Sequence, residues 1–202
     1  MSNENTFQFD EASEQKAPVL LEAARKYVKQ GYSVVPIKKG EKRPLIDWEI
    51  YQSRLPSEDE LLHWFENSNN QVGIVTGCVS GGLFILDFDG ENWPEAFVEF
   101  LDRFPEFVDS LVVRTGSGKV HIYGICPDMP KDLTRKVKKY FDPKGKIVGE
   151  VELRANNHQA LCPPSLHPCG EQYSFVDDTK SPVSVSFTHH WTNIGMFILV
   201  CV

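Results

Sequence analysis

With 202 residues, 41% of them hydrophobic and 24% charged, the chain has the make-up of one soluble globular domain, alone or with a small appendage. No apolar run is long enough to span a bilayer, and the polar, acidic opening MSNENTFQFDEASEQK is not a signal peptide, so no membrane partner and a cytoplasmic setting are expected. The net charge of −7, taken as a sum, argues against a nucleic-acid binder; five scattered cysteines (Cys78, Cys126, Cys162, Cys169, Cys201) without a CxxC pair argue against a disulfide framework and are expected to be mostly buried.

In chain order, residues 1–16 are expected to form a disordered arm, 17–190 the folded domain, and 191–202 a tail or truncation stub. Residues 18–30 place Leu20, Leu21, Ala24, Tyr27 and Val28 on one helical face, closed by Gly31. YSVVPI is a buried strand, and KKGEKRPLIDW a basic, turn-rich loop. A second helix opens after Ser57, with Glu60 completing a capping box and Leu61, Leu62, Trp64 and Phe65 supplying its apolar side. Strands VGIVTG and GLFILDFD are joined by CVSGG, a helix covers about 93–103, and strands LVVRT and KVHIYGI flank the turn GSG. The basic stretch 131–140 is expected to be helical. Strands IVGEVELRA and HQALCPP and a short one at QYSF follow. The apolar end GMFILVCV is either a last core strand or a stub. The mixture predicts an α+β domain with a largely antiparallel or mixed sheet.

Three segments could carry chemistry. Asp87 and Asp89 end an apolar strand two residues apart, so both carboxylates leave on one face. Such a pair repels unless a positive charge lies between, and a divalent cation with oxygen ligands is one answer. On spacing alone, the pair is as readily a strand exit into an Asp89-Gly90 turn. Arg114 to His121 (RTGSGKVH) offers backbone N–H groups, hydroxyls and cations suited to phosphate, or simply a hairpin turn. Glu150, Glu152 and Arg154 share a strand face, where they form either a third carboxylate and a phosphate contact or an exposed salt-bridged edge. Residues 131–154 hold eight cationic against four acidic residues, most simply a solvated face. His158, Cys162, His167 and Cys169 lie within twelve residues, but HxxxC…HxC is not a zinc spacing, and a structural role ranks above zinc.

Taken together, YVKQGYSVVPI, Lys42-Arg43-Pro44, Trp48, NQVGIVTG, Leu83 to Gly90 and VELRANNHQALCPPSLHPCGEQYSF resemble, in order and spacing, the bifunctional DNA primase/polymerase N-terminal (Prim-Pol) family of the archaeo-eukaryotic primase superfamily, over about 18–176. The resemblance implies a primase-polymerase type fold, with an RRM-like antiparallel sheet bearing the acids beside a second α/β unit and flanking helices. It implies two-metal nucleotidyl transfer, with Asp87, Asp89 and Glu152 holding Mg²⁺ or Mn²⁺ and Arg114, Ser117, Lys119, His121 and Arg154 gripping the triphosphate. Glu152 stands where the family often has Asp, and Lys119 where Gly is common. The partners implied are single-stranded or primer-template DNA, dNTP or NTP, and a helicase domain downstream or on a separate chain. Lys136, Lys138 and Lys139, with Lys38 to Arg43, would face the template backbone. One set of triphosphate contacts and a short segment after Phe175 imply better extension of a primer than unprimed synthesis.

Two other readings stay open. Asp87-Phe88-Asp89-Gly90 also matches the nucleophile motif of haloacid-dehalogenase-like phosphatases, although that fold places the motif on the first strand of a parallel sheet and more than eighty residues precede it here. A catalytically silent nucleotide- or nucleic-acid-binding module is the other, against which stands the presence of all three acids.

Overall fold

The structure is a computed structural model that describes residues 16–187. The expected arm before Lys16, the apolar end GMFILVCV and Cys201 lie outside the described residues. No helix among the described residues is long and apolar enough to cross a membrane.

Helix α1 (Lys16–Lys29) buries Leu20, Leu21, Ala24 and Tyr27, the face its spacing implies, and Val28 packs beside them. It ends at Gly31, whose N–H donates to the Val28 carbonyl. Strand β1 (Val34–Ile37) is buried along its whole length. Helix α2 (Glu58–Phe65) starts with the expected capping box: Glu60 N–H donates to Ser57 Oγ (3.3 Å) and Ser57 N–H to Glu60 Oε2 (2.7 Å). Such a cap contributes about 0.5–2 kcal/mol. Strand β2 (Gln71–Val75) pairs antiparallel with β1 on one side and with β8 (Gln159–Leu161) on the other. The late strand is fastened by Ser165, whose Oγ accepts from Val72 N–H (2.8 Å) and donates to Val72 O (3.1 Å) across 93 positions. This three-stranded sheet, with α1 and α2, is the second α/β unit.

The larger sheet contains β3 (Leu83–Gly90), β4 (Val112–Arg114), β5 (Val120–Ile125), β6 (Arg135–Phe141), β7 (Ile147–Arg154) and β9 (Ser174–Phe175) in the order β6-β7-β3-β5-β4-β9. These pairings are all antiparallel, while β10 (Val183–Ser184) adds to β5 in parallel. Helix α3 (Trp93–Arg103) connects β3 to β4. The core order β7-β3-β5-β4, with a helical crossover after its first strand, is an RRM-like arrangement, and the fold is α+β as expected.

One expectation fails here. Residues 131–140 do not form a helix; 135–141 form β6, a hairpin partner of β7 occupying the place of a second crossover helix. A helix here would offer only the narrow stripe Leu133, Val137 and Tyr140 among its lysines. As a strand, RKVKKYF turns Lys138 and Tyr140 onto α3, where both donate to Glu99 (2.9 and 2.7 Å).

The period of two along β3 divides the core. Phe84, Leu86 and Phe88 face α3 with Val120, Ile122, Val151 and Leu153, packing on Ala96, Phe100 and Phe107. Phe100 touches Phe88 and Phe107 edge-on, at ring centroids 5.7 and 5.1 Å apart. Each fully buried ring is worth about 1.5–3 kcal/mol. Leu83 and Ile85 face the other way, into the core shared with α1, α2 and the small sheet. Of the described cysteines, Cys126 and Cys162 are buried, but Cys78 and Cys169 are exposed, so the expectation of mostly buried thiols holds for only half of them.

Candidate active site

The face of β3 that carries Leu83 and Ile85 continues to Asp87 and Asp89. Asp87 lies opposite His121 of β5 on one side and Glu152 of β7 on the other, and Asp89 lies opposite Glu150. Three strands therefore bring two aspartates, two glutamates, a histidine and Arg154 to one surface. Both Glu150 and Glu152 face the aspartates, and Glu152 is the one beside Asp87.

Three of the four acids, Asp87, Asp89 and Glu152, are held by basic side chains. Arg154 donates through one terminal nitrogen to Asp87 Oδ2 (2.7 Å) and Glu152 Oε2 (3.2 Å). His121 Nε2 stands 3.3 Å from Asp87 Oδ1, and Arg135 Nε donates to Glu152 Oε1 (2.6 Å). Lys119 Nζ lies 2.9 Å from Asp89 Oδ1, which also accepts from Gly90 N–H (2.7 Å). Burial pushes the Asp87 carboxyl up, but His121, Arg154 and Lys42 outweigh it and hold the group well below the usual carboxylate range. Asp89 is likewise pushed up by burial and brought down further by Lys119 and the Gly90 N–H.

The second wall comes from the hairpin between β4 and β5. Thr115 N–H donates to Lys119 O (2.8 Å), Gly118 N–H donates to Thr115 O (2.9 Å), and Gly118 has the positive φ (82°) the turn requires. Gly116 is needed for a different reason: a Cβ there would lie 2.4 Å from both Glu171 O and His167 Cβ. The loop before β9 thus packs directly on the turn, and its Tyr173 tilts against His121 at 5.9 Å. Thr115, Ser117, Lys119 and His121, with Asp87, Asp89 and Arg154, enclose a small cavity of about 40 Å³ with mostly polar walls. His121 Nδ1 and Arg154 Nε are buried there without a protein partner.

Of the residues singled out from the sequence, Asp87, Asp89, Ser117, Lys119, His121 and Arg154 line this cavity. Glu152 adjoins it through Arg154. Arg114 does not: it pairs with Val120, whose side chain belongs to the α3 core, so strand alternation sends Arg114 to the opposite face. The same alternation separates the three lysines assigned to nucleic acid. Lys136 pairs with Leu153, on the α3 side, and Lys138 is 5% exposed against Glu99 and the Tyr140 ring. Lys139, opposite Glu150, is on the acidic face. The sequence reading missed Arg135, Gln159 and Tyr173 as members of the site, and gave Lys42 to the template backbone instead of the cavity. Arg135 was hidden by the helical expectation, and Lys42 and Gln159 meet only across 117 positions.

Among the described residues, no three His, Cys, Asp or Glu side chains converge as they stand on one metal position. His167 Nδ1 pairs with Cys169 Sγ (3.0 Å), while Cys162 is buried and donates to Val72 O. The carboxylates of Asp87, Asp89 and Glu152 are an all-oxygen donor set on one face, the chemistry that suits a hard divalent cation. In this structure they are turned instead to Arg154, Lys119 and Arg135. The antiparallel sheet removes the phosphatase alternative, which needs a parallel one.

A comparison with curated proteins found no match. The family model described as bifunctional DNA primase/polymerase, N-terminal, matches residues 24–186, from α1 through β10, a span that holds every residue of the cavity. On that match, the chain belongs to the Prim-Pol family.

Proposed function

We propose that this domain transfers a nucleotidyl group from a dNTP or NTP to the 3′-OH of a primer strand paired with a DNA template. Its family is of the primase/polymerase type. The observation that carries the proposal is the strand register, which sets Asp87 between His121 and Glu152 and beside a cavity lined with cations. In the reaction the primer 3′-oxygen bonds to the α-phosphorus, the bond from that phosphorus to the bridging oxygen breaks, pyrophosphate leaves, and the hydroxyl proton passes to solvent.

Asp87, Asp89 and Glu152 would hold Mg²⁺ or Mn²⁺, which when bound supplies an activated 3′-OH and charge neutralisation on the leaving pyrophosphate. Lys119 and Arg154, freed from the carboxylates, would turn to phosphate oxygens, as would His121 and the Thr115 and Ser117 hydroxyls. Ionised aspartates keep the metal-binding form available at neutral pH, consistent with their lowered pKa values. Arg135 and Lys139, on the acidic face of the edge strand β6, suit a nucleic-acid backbone crossing that edge.

The test is primer extension on a single-stranded template with Mg²⁺ or Mn²⁺, with and without a primer. Metal-dependent extension that disappears in Asp87→Asn/Asp89→Asn supports the proposal. Tight binding of nucleotide and DNA without incorporation under any metal would show a silent binding module instead.

A further inference from the structure

We propose that Lys42, delivered by the second α/β unit and held in place by Gln159, is a phosphate-gripping residue of the nucleotide cavity. The inference rests on the nucleotide-binding reading above and adds a residue from outside the sheet that carries the acids.

The argument begins with which cations are committed. Lys119 is paired with Asp89, Arg154 with Asp87 and Glu152, and Arg135 with Glu152. Lys42 lines the same cavity, and no carboxylate among the described residues pairs with it. Its charge is nevertheless felt at Asp87 and at His167. An ammonium kept beside a polar cavity without a protein anion is available to a ligand anion. The neighbouring hydroxyls of Thr115 and Ser117 can donate to the same oxygens.

The position of Lys42 is built. Its loop leaves β1 and is folded back by Leu45 N–H donating to Pro36 O (2.8 Å). Gln159 Nε2, from β8, donates to the Lys42 carbonyl (2.8 Å). Because a carbonyl only accepts, that contact fixes which end of the amide is which. The backbone oxygen of Gln159 accepts from Arg154 (3.2 Å). One residue thus ties Lys42 through its side chain and Arg154 through its main chain. Truncating the side chain loosens only the first tie, which makes Gln159 a positioning residue for Lys42.

Phosphate oxygens could come from the nucleotide or from the nucleic-acid backbone, and the small cavity beside Asp87 and His121 favours the nucleotide. The experiment uses the whole chain and three titrations: inorganic tripolyphosphate by calorimetry, dNTP in primer extension, and a single-stranded oligonucleotide by anisotropy. Lys42→Ala, an exposed loop change that the fold tolerates, is expected to weaken tripolyphosphate and raise the dNTP KM by about tenfold, the size of a lost charge-assisted contact. Its kcat and oligonucleotide affinity stay near wild type, and Lys42→Arg recovers most of the loss. Gln159→Ala weakens tripolyphosphate in the same direction by less, and adds nothing in a Lys42→Ala background. Unchanged tripolyphosphate binding in Lys42→Ala overturns the proposal, whether or not the domain polymerises. Loss confined to the oligonucleotide also overturns it, by assigning Lys42 to the strand. Additive losses in the double variant overturn the role of Gln159.

Discussion

The two faces of the seven-stranded sheet are written by alternate residues of the same strands, yet they do opposite work. Toward α3, Phe84, Leu86 and Phe88 are buried to the end of β3, and even Lys138 is folded in against Glu99. Toward the second unit, Leu83 and Ile85 are covered, but Asp87 is 15% and Asp89 50% exposed at the side chain. Along β3 one face stays covered as far as Phe88; the other is covered only as far as Ile85 and leaves its end open. Burial by the second unit stops where the carboxylates begin, so that like charges sit on a rigid strand at the rim of a core.

This contrast can be broken most sharply at Asp87 and Phe88, neighbours in sequence on opposite faces. Asp87→Asn is expected to cut nucleotide incorporation at least about a thousandfold, as loss of a metal-holding and charge-placing group does, while the far-ultraviolet dichroism stays the same. Full extension by this variant would remove Asp87 from the chemistry. Phe88→Ala is expected to cost about 3–5 kcal/mol in urea unfolding and to leave kcat of the folded fraction near wild type. A stable Phe88→Ala protein would mean that the α3 face is not the main source of stability.

A smaller effect separates two neighbouring lysines. Lys138→Ala should lose about 1–2 kcal/mol of stability with DNA affinity unchanged, because its ammonium is committed to Glu99. Lys139→Ala should leave stability within about 0.5 kcal/mol and reduce the salt dependence of DNA binding by about one ion. The reverse pattern would place the nucleic acid on the α3 face. The smallest effect concerns acid. Asp87 and Asp89 have folded pKa values below their ordinary ones, so their stabilisation is present above about pH 4 and is lost as pH falls through the folded values. Melting temperature measured from pH 6 to pH 2 should therefore fall less steeply in Asp87→Asn than in wild type. Parallel curves would show that Asp87 gains nothing from its partners.

Much of this was legible in the sequence because local rules carried it. Alternation in LFILDFD put Asp87 and Asp89 together, and Ser57 with Glu60 marked the start of α2. What was hidden depended on partners far along the chain. The lysines of β6 read as a helix because nothing within 131–140 announces that β7 will pair with it. Arg114 looked like part of the phosphate turn, but its register with Val120 decides its face, and register is a property of two strands. Lys42 and Gln159 carry no motif that binds one to the other; only the closure of β8 onto β2 does.

That closure has a consequence for how the protein is made. β8 and Ser165 complete the small sheet only after every strand from β3 to β7 has been synthesised. Until then a nascent chain holds β1 and β2 with one edge of β2 unpaired, a template for a strand from another molecule. Contacts between segments so distant in sequence form slowly, since a long loop must close before they give any return. The interval between translation of β2 and arrival of β8 is therefore when the chain is most exposed to aggregation. Faster folding or chaperone cover in that window should raise the yield of native protein without altering its final stability.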